Sequence, residues 1–130
     1  MNVLISKLLE YLGNDIVETV KIYGEEKRRK KENRKNVIKE YYRQLAELII
    51  ACEKKEDCSE IQETIILEKM NDVLLYYQCH PTELSKKKLR KFNAEIQYRI
   101  EHYTEGSLHR QEEFIGVVRQ AKVFVGKLLN

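Results

Sequence analysis

The sequence predicts an all-α fold, an antiparallel helical bundle of four to five helices in one domain spanning residues 1–130. Three observations predict it. Apolar residues recur every three or four positions over long stretches, the period of a helix with one buried face. A single proline, Pro81, and five glycines leave too few chain breakers for a many-stranded protein. Hydrophobic residues make up 42% and charged residues 35%, the balance of a globular core under a helical surface. A chain of 130 residues is long enough to bury a core without disulfide or metal staples.

The first element is short. Within Val3–Leu12, Ile5, Leu8, Leu9 and Leu12 share one helical face, and Gly13 closes it. Asp15 and Glu18 then stand at the spacing of a capping box, which starts a second helix. Its apolar stripe runs through Ile16, Val20 and Tyr23, crosses Lys27, Lys30 and Arg34, and resumes in phase at Val37, Tyr41, Leu45, Leu48 and Cys52. Glu25–Arg29 and Glu26–Lys30 have the i,i+4 order that favours a helix. Against them stands Gly24, at a cost of about 1 kcal/mol relative to alanine. Two outcomes therefore stay open, one long projecting helix over residues 15–53 or two helices broken at Gly24.

A polar turn is expected at Glu53–Asp57. The run Ser59-Glu60-Ile61-Gln62 matches a capping box and opens the next helix. Its apolar face comprises Ile61, Ile65, Ile66, Met70, Val73, Leu74 and Tyr77. Pro81 ends it, since the residue before a proline is driven out of helical geometry. A further helix is expected from about Glu83 to Tyr103 on Leu89, Phe92, Ile96, Ile100 and Tyr103. Gly106 stops it and Ser107 caps the last helix, which carries Phe114, Val117, Val118, Ala121, Phe124, Val125 and Leu128. Short polar connections between helices of similar length imply antiparallel neighbours. The domain thus divides into an apolar N-terminal arm (1–23), a basic helical segment (24–36) and the main bundle (37–130).

Several chemistries are excluded. Cys58 and Cys79 stand at opposite ends of one helix, about 30 Å apart at 1.5 Å per residue. Cys52 and Cys58 alone make no zinc site, so neither metal nor cofactor is expected, and Cys52 reads as a small core residue. No histidine follows a glutamate at the spacing of a carboxylate-bridged di-iron bundle. Arg99 and His102 are separated by two residues, too close for the paired Arg and His of helical nucleases of the HEPN class. Cys79 and His80 are adjacent at a helix end and point apart, poor geometry for a nucleophile and its base. There is no glycine-rich phosphate loop. Tyr41, Tyr77 and Tyr103 fall on apolar faces and read as core or boundary residues. The expected protein is not an enzyme, and no small-molecule substrate is evident.

Three cysteines at no recognised spacing suit reduced thiols and a cytoplasmic setting. Met1–Gly13 lacks the basic leader and cleavage site of a signal peptide. No apolar run approaches the roughly 18 residues of a membrane span. The abundance of Ile, Lys, Glu, Asn and Tyr suits an AT-rich genome such as a low-GC bacterium, its phages or another mobile element.

The chain carries 24 basic and 21 acidic side chains, net +3, and the bases are clustered. The first cluster is Lys27, Arg28, Arg29, Lys30, Lys31, Arg34, Lys35, Lys39 and Arg43. On a helix, Arg28, Lys31, Lys35, Lys39 and Arg43 form a narrow stripe bordered by Tyr42, the footprint that tracks a phosphate backbone. Because Lys27, Lys30 and Arg34 fill what would be inward positions, this stretch is polar all round and is expected to leave the core. The second cluster is Lys86, Lys87, Lys88, Arg90 and Lys91. A solvated helical face accounts for it, since Leu89 and Phe92 supply that helix's inner side. Leu8, Leu9, Leu12, Ile16, Val20 and Tyr23 form an apolar surface that a short helical pair cannot bury alone. Self-association is the expected outcome. Membrane binding is not, because Glu10, Asp15, Glu18, Glu25 and Glu26 oppose anionic lipid. Two functions follow, a helical interaction protein (adaptor, accessory subunit or inhibitor) that binds protein and self-associates, or a nucleic-acid-binding protein using the basic helix 27–43, as a mobile-element or ribonucleoprotein component.

Overall fold

The computed structural model describes residues 14–53, 59–104 and 112–130, with the backbone alone given at 14–21, 23, 59 and 60. Four α-helices account for most of these residues: α1 (Asn14–Glu53), α2 (Ser59–Cys79), α3 (Lys87–Glu101) and α4 (Glu112–Leu128). No strand occurs among the described residues. The expected first helix, the turn at Glu53–Asp57 beyond its first residue and the cap at Ser107 lie outside them.

Helix α1 runs through Gly24 without interruption. A β-carbon at that glycine would meet nothing within 4 Å, so its cost is the modest backbone-entropy term alone. Contacts divide the chain into two compact units, 1–34 and 35–130. In the first, Ile22 and residues 24–34 are exposed. The i,i+4 pairs Glu25–Arg29 and Glu26–Lys30 do not form, and those side chains stand in solvent.

The second unit is an antiparallel bundle. Tyr76 of α2 donates its hydroxyl to the Val37 carbonyl of α1 at 3.3 Å, and Lys69 of α2 meets Glu47 of α1 at 3.2 Å. Numbers rise along one helix as they fall along the other. Helices α3 and α4 pair in the same sense: Arg99 lies over the Phe114 ring at 4.7 Å and Lys88 over Phe124 at 5.1 Å. Helix α4 closes on α1, with Arg119 bonded to Glu53 near one end and Gly126 against Tyr42 near the other. A β-carbon at Gly126 would stand 3.3 Å from the Tyr42 ring, so this glycine permits the close approach of the two helices. Helices α2 and α3 pack together across a short turn.

The core is the sum of the four apolar stripes. Tyr41, Leu45, Leu48, Met70, Val73, Leu89, Ile96, Phe114, Val118 and Val125 are fully excluded from solvent. Each such aliphatic or aromatic side chain contributes about 1.5–3 kcal/mol relative to exposure. Two features depart from the expected pattern. Ile61, at the start of its stripe, is 55% exposed. Cys52 packs against the core yet is only partly buried.

The entry to α3 also differs. The expected start near Glu83 gives way to a turn over residues 81–84, closed by the Leu84 N–H to the His80 carbonyl at 3.1 Å. Lys86 then donates to the Leu84 carbonyl at 2.8 Å, and Lys86 itself is extended and becomes the helix N-cap. The reason is local. Pro81 has no N–H to continue α2, and Leu84 is drawn fully into the core, which holds the chain out of helical geometry for one more turn.

Candidate functional site

The residues with chemistry to offer are spread over the bundle. Among the described residues no group of three or more His, Cys, Asp or Glu side chains is placed to hold a metal ion. Burial, helped by Glu53, pushes the Cys52 thiol up to about 11, which leaves it protonated and poorly nucleophilic at neutral pH. Cys79 is exposed, and the neighbouring His80 turns its Nδ1 to the Tyr76 carbonyl at 2.9 Å and its ring towards the Tyr76 ring. His102 does the same with Tyr98. Both imidazoles are thus engaged one turn back along their own helices. A shallow cleft of about 360 Å3 beside His80 is lined by Glu47, Asp72, Tyr76 and Cys79.

The bases of the first cluster divide into two behaviours. Lys27, Arg28, Arg29, Lys30, Lys31, Arg34, Lys35 and Lys39 are all exposed, and none has an ion-pair partner among the described residues. Residues 24–36 hold seven bases and three acids, so this segment alone carries +4 while the whole chain carries +3. Arg43 is different. Its guanidinium is forked between Glu40 and Glu47, with Nε donating to Glu40 at 2.8 Å. The Arg43 hydrogen bond holds the Glu40 carboxyl below its usual range, and the arginine's own proton is held correspondingly tighter. Arg43 is therefore spoken for by neighbours on its own helix.

The second cluster acquires a role that its sequence pattern does not display. Lys88 and Lys91 stand on the rim of an open groove of about 530 Å3 between α3 and α4. The floor is apolar, built from Leu89 and Phe92 of α3 and Val117, Ala121 and Phe124 of α4. Leu89 and Phe92 are buried, and Val117 and Phe124 are half-open to solvent. The helices position these groups by period. Lys88, Lys91 and Glu95 sit at steps of three and four on α3, and Val117, Gln120, Ala121 and Phe124 do so on α4. Among the described residues Glu95 is the single acid of the rim, and Arg99 bonds it through Nη2 at 3.1 Å. Lys88 and Lys91 have no ion-pair partner among the described residues. The Lys88 ammonium instead lies over the Phe124 ring, a cation–π contact of about 0.5–1 kcal/mol at such an exposed site. Lys86, Lys87 and Arg90 do not line this groove. Lys87 and Arg90 face solvent, as a charged helical surface would.

A third cleft, of about 680 Å3, lies between α1 and α4 and is lined by Tyr42, Ile49, Arg119, Lys122, Val123 and Lys127 among others. Lys122 stands over the Tyr42 ring at 5.4 Å, and Arg119 is bonded to Glu53. Val123 is 59% exposed here. Sequence reasoning missed this cleft and the α3–α4 groove, because Arg119, Lys122 and Lys127 are isolated bases in an apolar helix and form no run. The one available signal was the width of the apolar stripe on α4, where Val117, Phe124 and Leu128 exceed what one buried face holds.

Of the remaining expected site residues, Leu8, Leu9 and Leu12 lie outside the described residues, and Ile16, Val20 and Tyr23 are placed on α1 by their backbone only. Among the described residues no helix is long and apolar enough to cross a membrane. Fold and groove together describe a helical bundle with an open apolar groove under a lysine rim. No family model, curated protein or solved structure matches this chain.

Proposed function

We propose that this chain is a non-enzymatic helical interaction protein, an adaptor, accessory subunit or inhibitor that works by binding another protein. The observation that supports it is the α3–α4 groove, where the half-open Val117 and Phe124 line an apolar floor beneath lysines without ion-pair partners among the described residues. Apolar side chains left open in a concave surface are the usual anchor sites of protein interfaces, with charged groups at the rim. Affinity purification from the source cell, wild type beside Val117→Glu, tests it. Proteins retained by the wild type and lost with a variant that still folds support the role, and identical sets from both sink it.

The same role includes self-association through the apolar stripe Leu8, Leu9, Leu12, Ile16, Val20 and Tyr23. It rests on the sequence pattern, and light scattering decides it: a monomer at high protein concentration ends that part of the proposal.

A second function, nucleic-acid binding, is favoured by a separate observation. Six bases between Lys27 and Arg34 are exposed without ion-pair partners among the described residues, so a polyanion would have no ion pair to displace at them. Such binding falls steeply with salt, since each neutralised phosphate releases counterions. Charge reversal at Lys30 and Lys31 would then abolish it. Absence of retarded DNA or RNA, single- or double-stranded, at low salt rules it out.

A further inference from the structure

Resting on the protein-binding role above, we infer that the α3–α4 groove receives an acidic amphipathic helix. Three properties of the groove select this occupant. Its two walls are antiparallel helices, and the furrow between two packed helices accepts the side-chain ridge of a third laid along it. The side chains of its floor, from Leu89 to Phe124, are apolar, so the inserted face must be apolar at steps of three and four residues.

The third property is charge. Lys88 and Lys91 stand one turn apart on the same rim, both exposed. Carboxylates one turn apart on a docked helix would meet both lysines in register. Glu95, the only acid among the described residues that line the groove, is already bonded to Arg99 and does not oppose an incoming anion. A second copy of this face is disfavoured, because it would set the same lysines against one another. Docking also has a built-in exchange. The Lys88 ammonium that lies over the Phe124 ring in the free chain swings to a carboxylate and uncovers the ring for an apolar side chain.

The test is a selection from a display library of helical peptides of roughly 16 residues, between four and five turns, with no bias in charge. The full chain is the target, and Val117→Glu and the pair Lys88→Glu/Lys91→Glu serve as counter-targets. Lys88 and Lys91 are exposed, so their reversal leaves the core intact, and circular dichroism confirms the fold of each variant. The expected winners carry apolar residues at helical spacing on one face and acids flanking it. They lose at least about tenfold in affinity on Lys88→Glu/Lys91→Glu, and bind less tightly as salt rises. Winners that depend on Val117 but are uncharged, or that are indifferent to the lysine reversal, overturn the acidic helix and leave the protein-binding groove standing. Enrichment that is unaffected by Val117→Glu, or no enrichment at all, overturns the groove itself.

Discussion

The carboxamide nitrogen of Asn93 lies 2.8 Å from the hydroxyl oxygen of Tyr41, and both side chains are buried in the centre of the bundle. The same nitrogen donates to the Leu89 carbonyl one turn back, also at 2.8 Å, so both of its protons are used. This contact joins α1 to α3 across the core, whereas the links of Tyr76, Lys69 and Arg119 join neighbouring helices. The Asn93 carbonyl oxygen is buried without a partner. The pair therefore fixes which residues of the two diagonal helices face each other, while giving up part of the energy that apolar groups would supply there.

From this follows a double-mutant test. Tyr41→Phe strands an amide proton of Asn93 and is expected to cost about 1–3 kcal/mol in urea unfolding. Tyr41→Phe combined with Asn93→Leu removes both polar groups and the orphaned oxygen, and should recover most of that loss. A double variant less stable than the single would show that the oxygen has a partner.

Alkaline pH acts on the same phenol. Burial pushes the Tyr41 hydroxyl, and less strongly that of Tyr76, above the ordinary tyrosine value of 10.0. The unfolded chain then releases protons that the folded chain retains. Stability is complete below about pH 10 and falls as pH rises beyond it. Thermal melts across this range should show the decline, and Tyr41→Phe should make it shallower.

Core and surface isoleucines and leucines should separate cleanly. Leu45→Ala, at a fully buried position facing the other helices, is expected to cost about 2–5 kcal/mol. Ile61→Ala, at a position 55% exposed, should stay within about 0.5 kcal/mol of wild type. Chemical denaturation of the two variants measures both.

Thiol reactivity reports burial directly. At about pH 8, near the ordinary thiol range, Cys79 is expected to alkylate well before Cys52, because burial holds the Cys52 thiol at about 11. Site-resolved peptide mapping over time gives the order, and equal rates would contradict the packing of Cys52.

The helices were legible in the sequence because period is a local property. Tyr41, Leu45, Leu48, Met70, Leu89, Ile96, Phe114 and Val118 all fall where a period of 3.6 places them, and all are buried. Continuity through Gly24 was not legible, since a penalty of about 1 kcal/mol is comparable to the small gains of the surrounding turns. Nor was the role of Asn93, whose burial depends on Tyr41, 52 positions away. The start of α3 departs from the periodic pattern because the pull of Leu84 into the core is a tertiary effect.

The groove shows the same division. Lys88 and Lys91 are visible in the sequence as a charge run, and Phe124 and Val117 as members of an apolar stripe. What joins them is the pairing of α3 with α4, and no period along either helix encodes it. By contrast, the exposure of Lys27, Lys30 and Arg34 follows from their own chemistry, since charged groups in inward phase have no buried partner to meet.

Photo-crosslinking in the source cell tests the protein-binding role most directly. A photoreactive residue is placed at Gln120, on the open rim of the groove, and in a control chain at Ile61, exposed on α2. A discrete protein adduct from Gln120, absent from Ile61 and lost on Lys88→Glu/Lys91→Glu, is the result expected of a groove that binds an acidic helix. Adducts to nucleic acid alone, or equal labelling from both positions, would contradict it.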